Sequence, residues 1–217
     1  GIVINTEENH YVTGSDAYHH HHQVLASQFL NEQFGKNAGL REEQIGLGHA
    51  FEMDPKIEDS FIYELAMAQL VRDIFNRHPI KFMPPSQKAG DVVHSQVMDS
   101  LFSLCSSATD QQIHLLGAST ADLSGPNASY AGLKNANTVF NAAASLYDEI
   151  QYNPNGKLVR RARSILDTTH AFLEQIKTVG LMEAIEKGSF AGTSRMRDTG
   201  HGLEGIFQRS RRYYNPF

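Results

Sequence analysis

The stretch QIGLGHAF at residues 44–51 decides the fold, because a helical pattern at 57–75 and a second apolar run, IKFM at 80–83, follow it. Apolar side chains recur at helical spacing between the two runs, which is typical of an amphipathic helix that covers a sheet. Short apolar runs that alternate with such helices are typical of βα units in a parallel sheet. The stretch therefore predicts an α/β fold.

The same unit recurs on both sides of this stretch. Upstream, a strand at Ile2–Asn5 and a polar loop precede a helix from Ser15 to about Phe34, with Gly35 as its stop signal. Downstream, a helix follows IKFM, and a fourth strand at 113–117 (IHLLG) precedes a helix over about 129–147. The strand starts are about 30 to 45 residues apart, the length of one βα unit.

Four βα units suit half of an eight-stranded barrel, since a complete barrel needs about 200 residues or more. We therefore predict half of a TIM-type (βα) barrel, a partial TIM-barrel domain, in residues 1–150. A helical and irregular C-terminal extension follows in residues 151–217, with helical patterns at 157–179 and 181–186. The chain opens at Gly1 inside a β-branched run, which predicts a fragment or a processed chain.

Composition and charge exclude several classes of function. The chain has 217 residues, with Lys+Arg 19 against Asp+Glu 24, a formal charge of −5, and a pI of about 6.1, which argues against nucleic-acid binding. Its one cysteine, Cys105, lies among apolar neighbours and predicts a buried thiol in a reducing compartment, so we expect a cytoplasmic protein. Neither a membrane span nor a signal peptide is predicted.

Candidate site residues follow the strands, because parallel α/β folds carry their sites at the carboxyl ends of strands. Lys81 is the most informative, since its head group lies either inside a barrel, where desolvation lowers its pKa, or at the rim in water. The candidates in strand order are Asn5, Glu7, Glu8, Asn9 and His10; His49, Glu52 and Asp54; Lys81, Ser86 and Lys88; and His114, Ser119 and Thr120.

The histidine tract at 19–22 does not predict a metal site, because four successive residues sweep around a helix and cannot share one ion. His49 with Glu52 and Asp54 leaves a metal-dependent hydrolase as a weak alternative, without a known ligand spacing. A dinucleotide site is excluded at the first turn, where Glu7 and Glu8 would repel a pyrophosphate.

Five strings of the sequence together resemble one family, the α subunit of lysine 5,6-aminomutase. The resemblance runs from end to end of the chain and corresponds to the C-terminal portion of that subunit. The strings are VLASQFLNEQF at 24–34, GLGHAFEMDP at 46–55, IKFMPP at 80–85, QIHLLG at 112–117 and YYNPF at 213–217.

The resemblance implies an isomerase whose barrel subunit holds pyridoxal 5′-phosphate. Its partner would be a smaller Rossmann-like β subunit that carries most of the contacts to adenosylcobalamin, in an α2β2 assembly. The implied reaction is a radical 1,2-migration of the terminal amino group of D-lysine or L-β-lysine in amino-acid degradation. The cofactors supply that chemistry, and the protein orients and shields it.

Residue by residue, Lys81 matches a family lysine that lies near the phenolic oxygen of the pyridoxal ring. It is not the family's Schiff-base lysine, which comes from the partner subunit. Glu8–Asn9–His10 matches an acidic and amide pair that contacts the substrate amine and the cofactor, and either Glu8 and Asn9 or Asn9 and His10 take those places. The resemblance thus implies Lys81 and Glu8 as catalytic, Asn9, His10 and Lys81 as cofactor-binding, and no metal ligand.

Two other functions stay open at this point. The related ornithine 4,5-aminomutase joins its barrel and cobalamin parts in one long chain, whereas this chain stops after YYNPF, which favours lysine. A noncatalytic interaction subunit of the same half-barrel shape is the alternative from another class.

Overall fold

The computed structural model describes residues 3–5, 15–48, 53, 57–82, 92–114 and 126–190. Four short strands form one sheet in the order β1-β2-β3-β4, and every neighbouring pair is parallel. The strands are β1 (Ile4–Asn5), β2 (Ile45–Gly48), β3 (Ile80–Phe82) and β4 (Ile113–His114). The predicted α/β class with parallel strands is confirmed.

A helix follows each strand, as the sequence predicts. The described helices are α1 (Ser15–Asn37), α2 (Ser60–Ile74), α3 (Val92–Ala108), α4 (Pro126–Ala142), α5 (Leu146–Glu149), α6 (Lys157–Val179) and α7 (Leu181–Glu186). A 3₁₀ turn at Glu42–Gln44 leads into β2. None of these helices combines the length and the apolarity that crossing a membrane requires.

The larger core cluster lies between the sheet and its helices. β2 and β3 contribute side chains that are at most 1% exposed, and α1, α2 and α6 cover them. The buried members are Val24, Leu25, Ile45, Leu47, Met67, Leu70, Val71, Phe75, Ile80 and Ile165. A second cluster joins α2 and α3 through Met53, Ala68, Met98, Phe102 and Cys105.

The prediction that α1 stops at Gly35 is wrong, because the helix continues to Asn37. Gly35 packs against β2 instead: a Cβ added there would lie 2.7 Å from Ile45 Cδ1. The positive φ that ends many helices occurs further on, at Gly39, with a value of 82°. The glycine that the sequence offers as a stop signal is therefore a close contact between helix and strand.

The prediction of one helix over about 129–147 is also wrong in its bounds. The helix α4 begins at Pro126 and ends at Ala142, and the separate short helix α5 follows. The amide of Ala143 is shared between the carbonyls of Val139 and Phe140, so the helical bonding tightens and ends there. Proline suits the first helical position because its missing N–H has no partner to lose there.

Cys105 has the environment that the sequence predicts. Its thiol is 0% exposed and free, and burial, with the nearby Glu64 as the second cause, raises its pKa well above the usual value. It is therefore an unreactive core group.

The helix α6 packs against α1 and α2, and Ile165 lies in the larger core cluster. Arg161 extends this contact, because its guanidinium carbon lies 4.3 Å from the Tyr18 ring centroid and 5.4 Å from that of Tyr63. A division of the chain into residues 1–150 and 151–217 remains a prediction.

Arg161 also fixes the state of His21. Its Nη2 lies 2.8 Å from His21 Nδ1 and donates to the Tyr18 carbonyl at 2.6 Å. The same Nδ1 also lies 2.9 Å from the Tyr18 carbonyl. A positive charge on the buried ring would face the guanidinium charge, so the imidazole is neutral. Burial, and then the charge of Arg161, lower the pKa of His21 to about 3.

This histidine makes stability depend on pH. Below pH 6.5 the unfolded chain takes up a proton at His21, whereas the folded chain takes it up only near pH 3, so stability falls as the pH falls. Between pH 7 and pH 5 the wild type should lose about 2 kcal/mol more than His21→Gln, which keeps a neutral acceptor. Urea unfolding of the purified protein at the two pH values measures this difference.

His170→Gln is the matched control, since His170 is an exposed histidine on α6. It should keep the pH dependence of the wild type. Equal losses for the wild type and His21→Gln would contradict the neutral assignment.

Candidate functional site

One face of the sheet is covered by helices, and side-chain contacts identify it. Ile45, Leu47 and Ile80 lie in the core cluster with residues of α1 and α2. On β4, the His114 ring stacks on Phe140 of α4 with 4.9 Å between centroids, and its Nε2 lies 3.4 Å from Ser103 Oγ of α3. These positions define the helix face.

Successive residues of a strand alternate between faces, so the remaining positions belong to the opposite face. The register aligns Gly48, Lys81 and Ile113 across β2, β3 and β4, and it aligns Asn5 with Gly46 across β1 and β2. Position 81 thus lies between a glycine and an isoleucine, on the face away from the helices.

Glycine occupies both β2 positions of this face, 46 and 48. A residue without Cβ leaves the room beside a strand that a flat ring needs for close approach. The sequence carries this signal as the alternation Ile-Gly-Leu-Gly, although alternating glycine by itself does not say which face it occupies.

The other predicted site residues divide into two groups. His114 is a candidate by its position after the fourth strand, yet the structure directs it to the helix face, away from the face of position 81. Burial lowers its pKa, which suits a neutral ring packed against Phe140. Glu8, Asn9 and His10 lie outside the described residues, as do Glu7, His49, Glu52, Asp54, Ser86, Lys88, Ser119 and Thr120.

Two buried polar side chains near the carboxyl end of β2 are absent from the sequence-based candidates. Gln28 of α1 is 0% exposed, and its Nε2 donates to the Gly48 carbonyl. Glu64 of α2 is also 0% exposed, and its Oε2 accepts from the Met53 amide at 3.1 Å. A polar residue inside an otherwise apolar helical face is the only sequence signal for either.

Metal binding finds no support in the described ranges. Across residues 3–5, 15–48, 53, 57–82, 92–114 and 126–190, no three His, Cys, Asp or Glu side chains gather as ligands of one ion. The tract at 19–22 is helical with a break at His20, where φ is −121° and ψ is 16°.

Comparison with known families matches the chain to the D-lysine 5,6-aminomutase TIM-barrel domain of alpha subunit over residues 1–217. The chain belongs to this family. The resemblance carried by the five strings is thereby confirmed, and so is a TIM-barrel domain as the fold class.

Two curated relatives agree with the family. The lysine 5,6-aminomutase alpha subunit of Acetoanaerobium sticklandii is 45% identical over 220 residues, which cover 100% of this chain and 42% of the relative. That of Fusobacterium nucleatum is 43% identical over 220 residues, with the same coverage. The chain therefore spans less than half the length of the relatives that it matches.

Proposed function

We propose that this chain is part of the α subunit of a lysine 5,6-aminomutase, an isomerase that moves the terminal amino group of D-lysine or L-β-lysine to the adjacent carbon. The observation that carries the proposal is identity of 43% to 45% over the whole chain with two subunits of that name. A half-barrel of four βα units, completed by other parts of the protein, is our proposal for its architecture. The parallel sheet with strands in chain order supports it.

Lys81 is the central residue of the proposed site. Its register position lies on the sheet face opposite the helix face, which in a closed barrel is the interior. There its ammonium would hold a positive charge beside the phenolic oxygen of bound pyridoxal 5′-phosphate. Desolvation inside the barrel strengthens such a charge interaction.

The residues present fit a flat cofactor at this place. Gly48 pairs with Lys81, and Gly46 lies two positions before Gly48 on the same face of β2. Because neither glycine has a side chain, no β2 side chain fills the space beside the lysine. When bound, pyridoxal phosphate would stabilise the migrating nitrogen. Adenosylcobalamin would supply the radical, and the Rossmann-like β subunit would hold most of it. We propose an α2β2 assembly for the whole enzyme.

Glu8, Asn9 and His10 are the proposed contacts to the substrate amine and the cofactor. β1 is two strands away from β3 in the sheet, so its carboxyl end lies about 10 Å from that of β3. β1 ends at Asn5, three residues before Glu8 in the sequence. We propose that a lysine-sized substrate bound to a cofactor bridges from the segment after β1 to Lys81.

The test is turnover by the complete α subunit with its β subunit, both cofactors and D-lysine, followed by magnetic resonance analysis of the product. We expect the terminal nitrogen on the neighbouring carbon, and no turnover when either cofactor is omitted. L-β-lysine and ornithine serve as comparison substrates. Turnover of ornithine but of neither lysine would overturn the proposal.

A further inference from the structure

Helix side chains contact the backbone at the last residue of β2 and again at Met53. Gln28 of α1 donates to the carbonyl of Gly48, the last residue of β2. Glu64 of α2 accepts from the amide of Met53, five residues later. From these contacts we infer that Gln28 and Glu64 are positioning residues for the site beside Lys81. The inference rests on the proposed function, because it assumes that Lys81 acts there.

The first anchor acts through the sheet register. Gly48 is the Cα partner of Lys81, so a side chain that fixes the Gly48 carbonyl fixes the strand end next to the lysine. Gln28 is well suited to this because it comes from the helix layer and is 0% exposed, which leaves its amide little freedom. Among the residues that the structure describes, none contacts its Oε1 as a hydrogen-bond donor, so the bond to Gly48 compensates the burial only in part.

The second anchor joins two kinds of contact at one residue. The Met53 side chain is 3% exposed and packs in the cluster with Ala68, Met98, Phe102 and Cys105. Its amide donates to Glu64, whose carboxylate is fully buried in α2. A hydrogen bond to a buried ionisable side chain is stronger and more directional than apolar packing, so Glu64 sets the backbone direction at Met53.

Removal of these anchors should therefore displace the site more than it destabilises the fold. Gln28→Leu keeps the volume of the side chain. It loses the hydrogen bond to Gly48, but it also removes the buried Oε1 that lacks a partner among the described residues, so the two effects on the free energy of unfolding offset each other. A small displacement of a catalytic group slows a reaction strongly, because the reacting atoms must lie within a few tenths of an ångström of their productive geometry.

The experiment uses the complete α subunit in complex with its β subunit and measures two readouts for each variant. Hydrogen exchange of the peptide that covers 45–53 reports the anchoring without any need for activity. Turnover of D-lysine reports the site. In Gln28→Leu and Glu64→Ala we expect exchange about tenfold faster and kcat about tenfold lower, with KM changed less than about twofold. Glu64→Gln, which keeps an oxygen acceptor, should stay within about threefold of the wild type.

Two matched controls separate positioning from general loosening. Gln23→Leu makes the same change on α1, at a residue that is 4% exposed and also has an unpartnered Oε1. Ile176→Ala weakens α6 at a residue that is 5% exposed and belongs to neither core cluster. Both should leave exchange at 45–53 and kcat unchanged, although Ile176→Ala lowers the melting temperature.

The outcomes are distinct from those of the proposed function. Equal exchange and equal kcat in the anchor variants and their controls would overturn the inference, and so would faster exchange with wild-type kcat. If Glu64→Ala does not fold, the comparison of Gln28→Leu with Gln23→Leu tests the inference by itself. If the wild-type complex does not turn over either lysine, the proposed function fails, and the exchange comparison alone then supports or overturns the anchoring.

Discussion

Lys81→Ala in the complete α subunit, assembled with its partner, is expected to slow lysine turnover about 100-fold or more. The reason is electrostatic: a charge held beside the cofactor in a closed, water-poor interior contributes far more than the same charge in water. Removal of one such group typically costs about 10² to 10³ in kcat. The loss should appear in kcat rather than in KM, because the proposed contact is with the cofactor and not with the substrate.

Lys177→Ala is the control for this prediction. Lys177 lies on α6 with its side chain 77% exposed, close to Glu174, and its removal should leave turnover unchanged. Size-exclusion chromatography of each variant shows whether the assembly persists. A Lys81→Ala complex that assembles and turns over at the wild-type rate would remove Lys81 from the mechanism.

Truncation of a buried side chain of α6 should strongly destabilise the fold, because α6 packs against the core of the sheet. Ile165→Ala should lower the free energy of unfolding by about 2 to 5 kcal/mol, because Ile165 is 0% exposed and lies in the core cluster with residues of β2, β3, α1 and α2. Urea unfolding of the purified protein measures the loss. The whole transition should shift, since α6 shares its core with the sheet.

Leu166→Ala is the matched control, one residue further along the same helix. Leu166 is 41% exposed, so its truncation should cost less than about 1 kcal/mol. Similar losses for the two variants would contradict the packing of α6. A separate early transition in Ile165→Ala, with the main one unmoved, would instead favour the division at residue 150 as two independent units.

Periodicity was sufficient to predict the elements that have a strong local pattern. The helices at Lys157–Val179 and Leu181–Glu186 have the predicted bounds, and the parallel order of the strands follows from their spacing. Local patterns fail where a tertiary contact decides. Gly35 satisfies the stop rule for a helix, yet the approach of Ile45 places it inside α1, and only the folded chain brings these two residues together.

The site was predictable to a smaller extent. Lys81 and His114 were both candidates because of their positions on strands. In the structure, however, they lie on opposite faces of the sheet. The face depends on the register of strand pairing, and a short strand sequence does not specify that register. Gln28 and Glu64 could not be found from the sequence, because nothing in the sequence distinguishes them from the other polar residues of α1 and α2. Their partners, Gly48 and Met53, are 20 and 11 residues away.

Lysine acetylation of the assembled enzyme, with and without the cofactor, tests most directly whether Lys81 shares the barrel interior with pyridoxal phosphate. Mass spectrometry quantifies modification of Lys81 against that of the exposed Lys177. We expect bound cofactor to protect Lys81 and to leave Lys177 unchanged. Equal acetylation of Lys81 in both states would contradict this placement.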